Sequence, residues 1–90
     1  MQIIVRISRP TAVVLHGHGP LTEPAREIVD TAEEQAAQLA PMHPGTRDVD
    51  LMRYFTATLL DGETVARAIA GLQACSAVEA AYVKPPAEIP

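Results

Sequence analysis

Apolar and polar side chains alternate from residue 2 to residue 8, with Ile3, Val5 and Ile7 on one side and Ile4, Arg6 and Ser8 on the other. Both sets are apolar enough to place this first strand in the middle of a sheet. Arg9-Pro10-Thr11 breaks it. Ala12-Val13-Val14-Leu15-His16 is a second β-prone run, closed by Gly17-His18-Gly19-Pro20, and it reads equally as a strand or as an extended loop. Thr22 then caps a helix that runs through about Leu39, with Glu23 and Pro24 in a first turn that favours both. Its inward stripe is Ala25, Ile28, Val29, Ala32, Ala36 and Leu39, and the alanines let it lie close to a sheet. Glu23, Glu27, Asp30, Glu33 and Glu34 fall at helical spacing on a polar face, which predicts a solvated surface rather than an acid–base pair.

From Ala40 to Asp50 two prolines and a glycine predict a loop, so that any strand partner around Met42–Arg47 is short or irregular. Leu51–Leu60 is the next strand: Phe55, Ala57 and Leu59 face one side, and Tyr54, Thr56 and Thr58 the other. Asp61 caps a second helix whose apolar positions are Val65, Ala66, Ile69, Ala70 and Leu72, ending near Cys75-Ser76. Val78–Val83 forms a last short strand, and Pro85-Pro86 stops it because proline cannot donate to a ladder. The order of strand, helix, one or two strands, helix, strand predicts an α+β fold, a ferredoxin-like sandwich with two helices on one face of a mainly antiparallel sheet. Tyr54, Thr56 and Thr58 then project from the other face together with Arg6 and Glu79.

Ninety residues allow one domain, residues 1–84, followed by an extended tail at 85–90. Seven basic against 11 acidic side chains give a net charge of −4 without a basic block, which argues against nucleic acid as partner. One cysteine excludes an internal disulfide, and Cys75 near a helix end reads as a small packing residue. The apolar runs are far shorter than the ~20 residues that cross a bilayer, so no membrane partner is expected. Met1 is followed at once by a strand pattern rather than by a signal peptide, which is expected of a cytoplasmic protein or of a fragment of a secreted precursor.

His16, His18 and His43 invite comparison with a zinc or copper site, but no Cys-x-x-Cys or closely spaced acid supports one, and exposed histidines on a glycine loop are the expectation. Gly17-His18-Gly19 lacks the third glycine and the lysine of a phosphate loop. Cys75 or Ser76 with a histidine are the only nucleophile pairs to consider, and no motif supplies a base or an oxyanion hole. The expectation is therefore no enzyme, no cofactor and no metal.

The stretch Leu51–Pro86 resembles the propeptides and propeptide-like inhibitors of subtilisin-type serine proteases. The matching pieces are the strand phrase Phe55-Thr56-Ala57-Thr58-Leu59, a helix opening at Asp61 with Val65 and Ile69 inside, and the closing Ala77-Val78-Glu79-Ala80-Ala81-Tyr82-Val83-Lys84-Pro85. The resemblance covers about the last 40 residues closely. It implies a ferredoxin-like domain that inhibits a subtilisin-like protease and assists its folding as an intramolecular chaperone. The sheet face at Tyr54, Thr56, Thr58 and Glu79 would pack on the protease. The tail Lys84, Pro85, Pro86, Ala87, Glu88, Ile89 and Pro90 would enter its cleft as an added strand. Against the resemblance, residues 8–21 stand as an insertion. The alternative is an unrelated ferredoxin-like interaction or regulatory module that dimerises through a strand edge or a sheet face.

Overall fold

The computed structural model describes residues 1–60 and 62–83. Strand β1 (Gln2–Ile7) is central, as its two apolar faces require: β3 (Tyr54–Thr58) lies on one side and β4 (Val78–Val83) on the other. Strand β2 (Gln38–Pro41) pairs with the far side of β3, giving the order β2-β3-β1-β4 with every neighbour antiparallel. The α+β class is as expected, and this strand order is compatible with the ferredoxin-like arrangement. One sheet face is dry. Ile3, Val5, Ile7, Phe55, Ala57 and Ala81 pack there against Ile28, Val65, Ala68 and Leu72 from the helices.

Four helices join the strands: α1 (Arg9–Leu15), α2 (Glu23–Glu34), α3 (Val49–Met52) and α4 (Val65–Gln73), the last preceded by a 3₁₀ turn at Gly62–Thr64. Helix α1 corrects the reading of Ala12–His16 as strand or loop. Pro10 sits in its first turn, where a missing amide costs nothing, and the burial of Thr11 and Ala12 outweighs the weak β-preference of Val13 and Val14. The segment taken for an insertion is thus this helix and a tight turn in which Gly17 and Gly19 take φ of 92° and 115°, values that favour glycine.

Helix α2 starts as expected, with the Thr22 hydroxyl accepting from the Ala25 amide, but it does not reach Leu39. It ends in a Schellman motif: the Ala36 amide donates to the Glu33 carbonyl (3.0 Å) and the Ala37 amide to the Ala32 carbonyl (2.8 Å), with Ala36 at φ 54°. The chain therefore turns back early. Gln38–Pro41 becomes β2, so the strand partner lies before the expected Met42–Arg47, Leu39 is a strand residue, and Ala36 is exposed.

The strand expected over Leu51–Leu60 begins only at Tyr54. Asp48 caps a short helical turn instead, its side chain accepting from the Asp50 amide at 2.9 Å, and this turn buries Met52. The Asp61 cap lies outside the described residues. In α4 the buried positions are Val65, Ala68 and Leu72, with Ile69 half-buried; Ala66 and Ala70, expected inside, are exposed because the inward stripe runs i, i+3, i+4, i+7 from Val65 and they lie off it. Strand β4 has its expected bounds.

Candidate protein-binding face

No helix of the described residues packs on the second sheet face, whose side chains are set by register. Ala40 stands opposite Thr56, Thr56 opposite Ile4, and Ile4 opposite Tyr82, so one row crosses all four strands. Gln38, Thr58 and Gln2 form the row on one side; Tyr54, Arg6 and Ala80 form the row on the other. The centre of the face is a small apolar and hydroxyl patch. Ile4, Tyr54, Thr56 and Thr58 are half-buried by their neighbours alone, and Tyr82 is 45% exposed.

The polar end of the face is an ion cluster. Register changes between Arg6, opposite Ala80, and Ile7, opposite Val78, which leaves Glu79 as the extra residue of a β-bulge. Its Oε1 accepts from Arg53 Nη2 and lies 3.3 Å from Arg6 Nε. Arg6 Nε is buried without a hydrogen bond, so its attraction to Glu79 is that of an unaligned ion pair. Arg53 is more firmly held, because its Nε also donates to the Ile7 carbonyl at 3.3 Å. Glu79, expected to face a partner, is thus engaged within the domain.

Both sheet edges are interrupted. Strand β2 is four residues long and carries Pro41, which has no amide to donate. For β4 the orientation follows from β1. Met1 and Leu59 exchange backbone hydrogen bonds (2.9 and 3.2 Å) and the Ile7 amide donates to the Arg53 carbonyl (2.8 Å), so the odd residues of β1 bond toward β3. Ile4 and Arg6 then bond toward β4 through Tyr82 and Ala80, and Ala81 turns its backbone to the free edge. There Gln73 Nε2 donates to the Ala81 carbonyl at 3.1 Å. The Glu79 bulge disrupts the edge further on.

The remaining candidates do not assemble. His16 corrects the expectation of exposure: it is half-buried, Nε2 donates to the Met52 carbonyl at 3.1 Å, and its ring meets Phe55 edge-on at 5.2 Å. His18 is exposed. No three metal-binding side chains converge among the described residues. Cys75 is a buried packing residue; its thiol donates to the Gly71 carbonyl (3.5 Å) and lies 3.4 Å from the Thr31 hydroxyl. Burial raises the thiol's pKa; the Thr31 hydroxyl opposes this, and the Glu27 charge adds to the rise. The five acids singled out on α2 are all exposed, as expected.

Of the sequence-predicted face, Tyr54, Thr56 and Thr58 lie together as expected, and Glu79 joins them through the bulge. Tyr82, Ile4 and Arg53 belong to the same face and were not singled out; the two-residue period of β4 signals Tyr82, but only register puts it beside Ile4. The tail residues Lys84–Pro90 lie outside the described residues. No helix of the described residues is long and apolar enough to cross a membrane. Compared with known protein families, curated proteins and solved structures, the chain has no significant match.

Proposed function

We propose that this domain binds and inhibits a subtilisin-like serine protease in the manner of a propeptide, docking by its open sheet face and blocking the cleft with the tail after Val83. The observation that carries the reading is the uncovered row Ala40–Thr56–Ile4–Tyr82, bordered by the strand from which the tail continues. The resemblance over Leu51–Pro86 and the strand order support it. In a propeptide the same complementarity would stabilise the folding transition state of the protease, which is the chaperone activity that the resemblance implies.

Size decides how the two parts share the work. Strands of six, four, five and six residues, at ~3.3 Å per residue and ~4.8 Å apart, present roughly 330 Å², no more than about half of the ~800 Å² that each partner contributes to a standard interface. The face alone is too small, and the tail must supply the rest. Proline holds an extended chain at little entropic cost. Because Pro85, Pro86 and Pro90 cannot donate backbone hydrogen bonds, Ala87, Glu88 and Ile89 carry whatever strand pairing the tail makes. Dimerisation through a strand edge is disfavoured by Pro41, by the bulge and by Gln73.

The test mixes the purified chain with a broad-specificity subtilisin and follows residual activity for an hour beside a gel. Stoichiometric loss with the domain intact supports an inhibitor, and loss followed by recovery with digestion supports a propeptide. Full activity at tens of micromolar, with sedimentation showing a dimer, would replace this reading by a self-associating module.

A further inference from the structure

The chain is acidic, yet the polar end of its open face carries two guanidinium groups against one carboxylate. The two cations differ in how they are held. Arg53 has only 22% of its side chain exposed and is fixed by the Ile7 carbonyl and by Glu79. Arg6, 42% exposed, has Glu79 as its ion-pair partner, and its Nε makes no hydrogen bond. Glu79 meets both guanidiniums through the one oxygen Oε1, so the Arg6 contact has no two-bond grip. Elsewhere the balance differs: Arg9 pairs with Asp50 at 2.8 Å, and Arg26 lies on α2 among Glu23, Glu27 and Asp30.

We propose that Arg6 and Arg53 receive an acidic side chain of the bound protein, with Glu79 as the internal carboxylate that holds the two guanidiniums in place in the free domain. This rests on the open face being the docking face. It names the chemistry that the partner brings to one end of that face. The approaching carboxylate meets the exposed side of the Arg6 guanidinium, away from the buried Nε, and the partner's acid and Glu79 compete for the same cations.

Competition gives the test its sign. The probe is acetyl-Glu-Glu-Glu-amide, titrated into the 90-residue chain while the arginine Nε–H resonances are followed by NMR, with acetyl-Lys-Lys-Lys-amide as control. Saturable shifts are expected at Arg6 and Arg53, with none from the lysine peptide, and they should disappear in Arg6→Gln. Glu79→Gln removes the competitor and should bind the glutamate peptide about two- to fivefold more tightly. A residue that only braced the face would give weaker binding instead. The proposal is overturned if Arg6 and Arg53 do not shift, if Arg26, Arg47 and Arg67 shift equally, or if Glu79→Gln weakens binding while its melting temperature is unchanged. Should Glu79→Gln lose its fold, the Arg6→Gln comparison decides alone. Because no protease is present, failure here is distinct from failure of the inhibition assay.

Discussion

Replacing Ala36 by glycine should stabilise the domain. Ala36 ends α2 at φ 54°, a left-handed conformation that costs an L-residue roughly 1–2 kcal/mol and glycine very little. The side chain is exposed, so removing its methyl group forfeits no buried contact. Against the relief stands the greater freedom of glycine in the unfolded chain, about 0.4–1 kcal/mol. The middle of each range leaves a gain of about 0.8 kcal/mol, and the extremes span about 0–1.6 kcal/mol. For a domain of this size 1 kcal/mol moves the midpoint by roughly 4–8 °C, so a rise of about 3–6 °C is expected. Thermal unfolding followed by far-ultraviolet circular dichroism measures it, with Ala36→Val as the opposite control, since a β-branched side chain deepens the strain. A midpoint that falls for Ala36→Gly would refute the account of how α2 stops.

Three further outcomes follow from the structure. Removing Ala87–Pro90 should weaken inhibition of subtilisin at least about tenfold, because the open face supplies only about half an interface, while the melting temperature stays within error. Tyr82→Ala should weaken inhibition by about 1–2 kcal/mol, measured as the inhibition constant, and lower stability by no more than about 1 kcal/mol, the worth of its cross-strand contact with Ile4, since Tyr82 is 45% exposed in the free domain. Cys75 should resist a thiol reagent at pH 8 in buffer and react at once in denaturant. Its thiol pKa is raised above the ordinary 9.0, so the unfolded chain loses the proton first. The stability it contributes is complete below pH 9 and declines as pH rises through the folded value; urea midpoints of the wild type and Cys75→Ala at pH 7 and 10 measure this, and a parallel fall in both would contradict it.

Strands whose faces differ in polarity were legible. Phe55, Ala57 and Leu59 against Tyr54, Thr56 and Thr58 is a local alternation, and it gave both the core side and the open side of β3. Strand β4 was bounded by prolines after it and by a helix end before it. Three stops and starts were not legible, each for its own reason. Pro10 reads as a break, yet it is compatible with a first helical turn, and only the burial of Thr11 and Ala12 decides which it is. Ala36 gives no signal of a stop because glycine is the usual residue there. Asp48 capped a turn too short to show a period, so Leu51 and Met52 were counted with the strand. The face was half legible for the same reason: period gives the side on which Tyr82 lies, whereas its place beside Ile4 depends on pairing across 78 residues of chain. Glu79 was placed on that face, but its capture by Arg53 needed α3 and the bulge to be known.

The bulge also sets how this strand tolerates change in length. With Glu79 removed, Val78 would be followed by Ala80, and the two registers already present, Ile7 with Val78 and Arg6 with Ala80, would join into one uninterrupted ladder. Nothing beyond that point would slip. Tyr82 would stay beside Ile4, and the chain would leave the sheet at the same place. Loss of Ala80 would be absorbed in the same way, with Glu79 taking the place opposite Arg6 and Ala81 and Tyr82 keeping their partners. Within six residues, then, the chain carries slack for one deletion, and it lies between Val78 and Ala81.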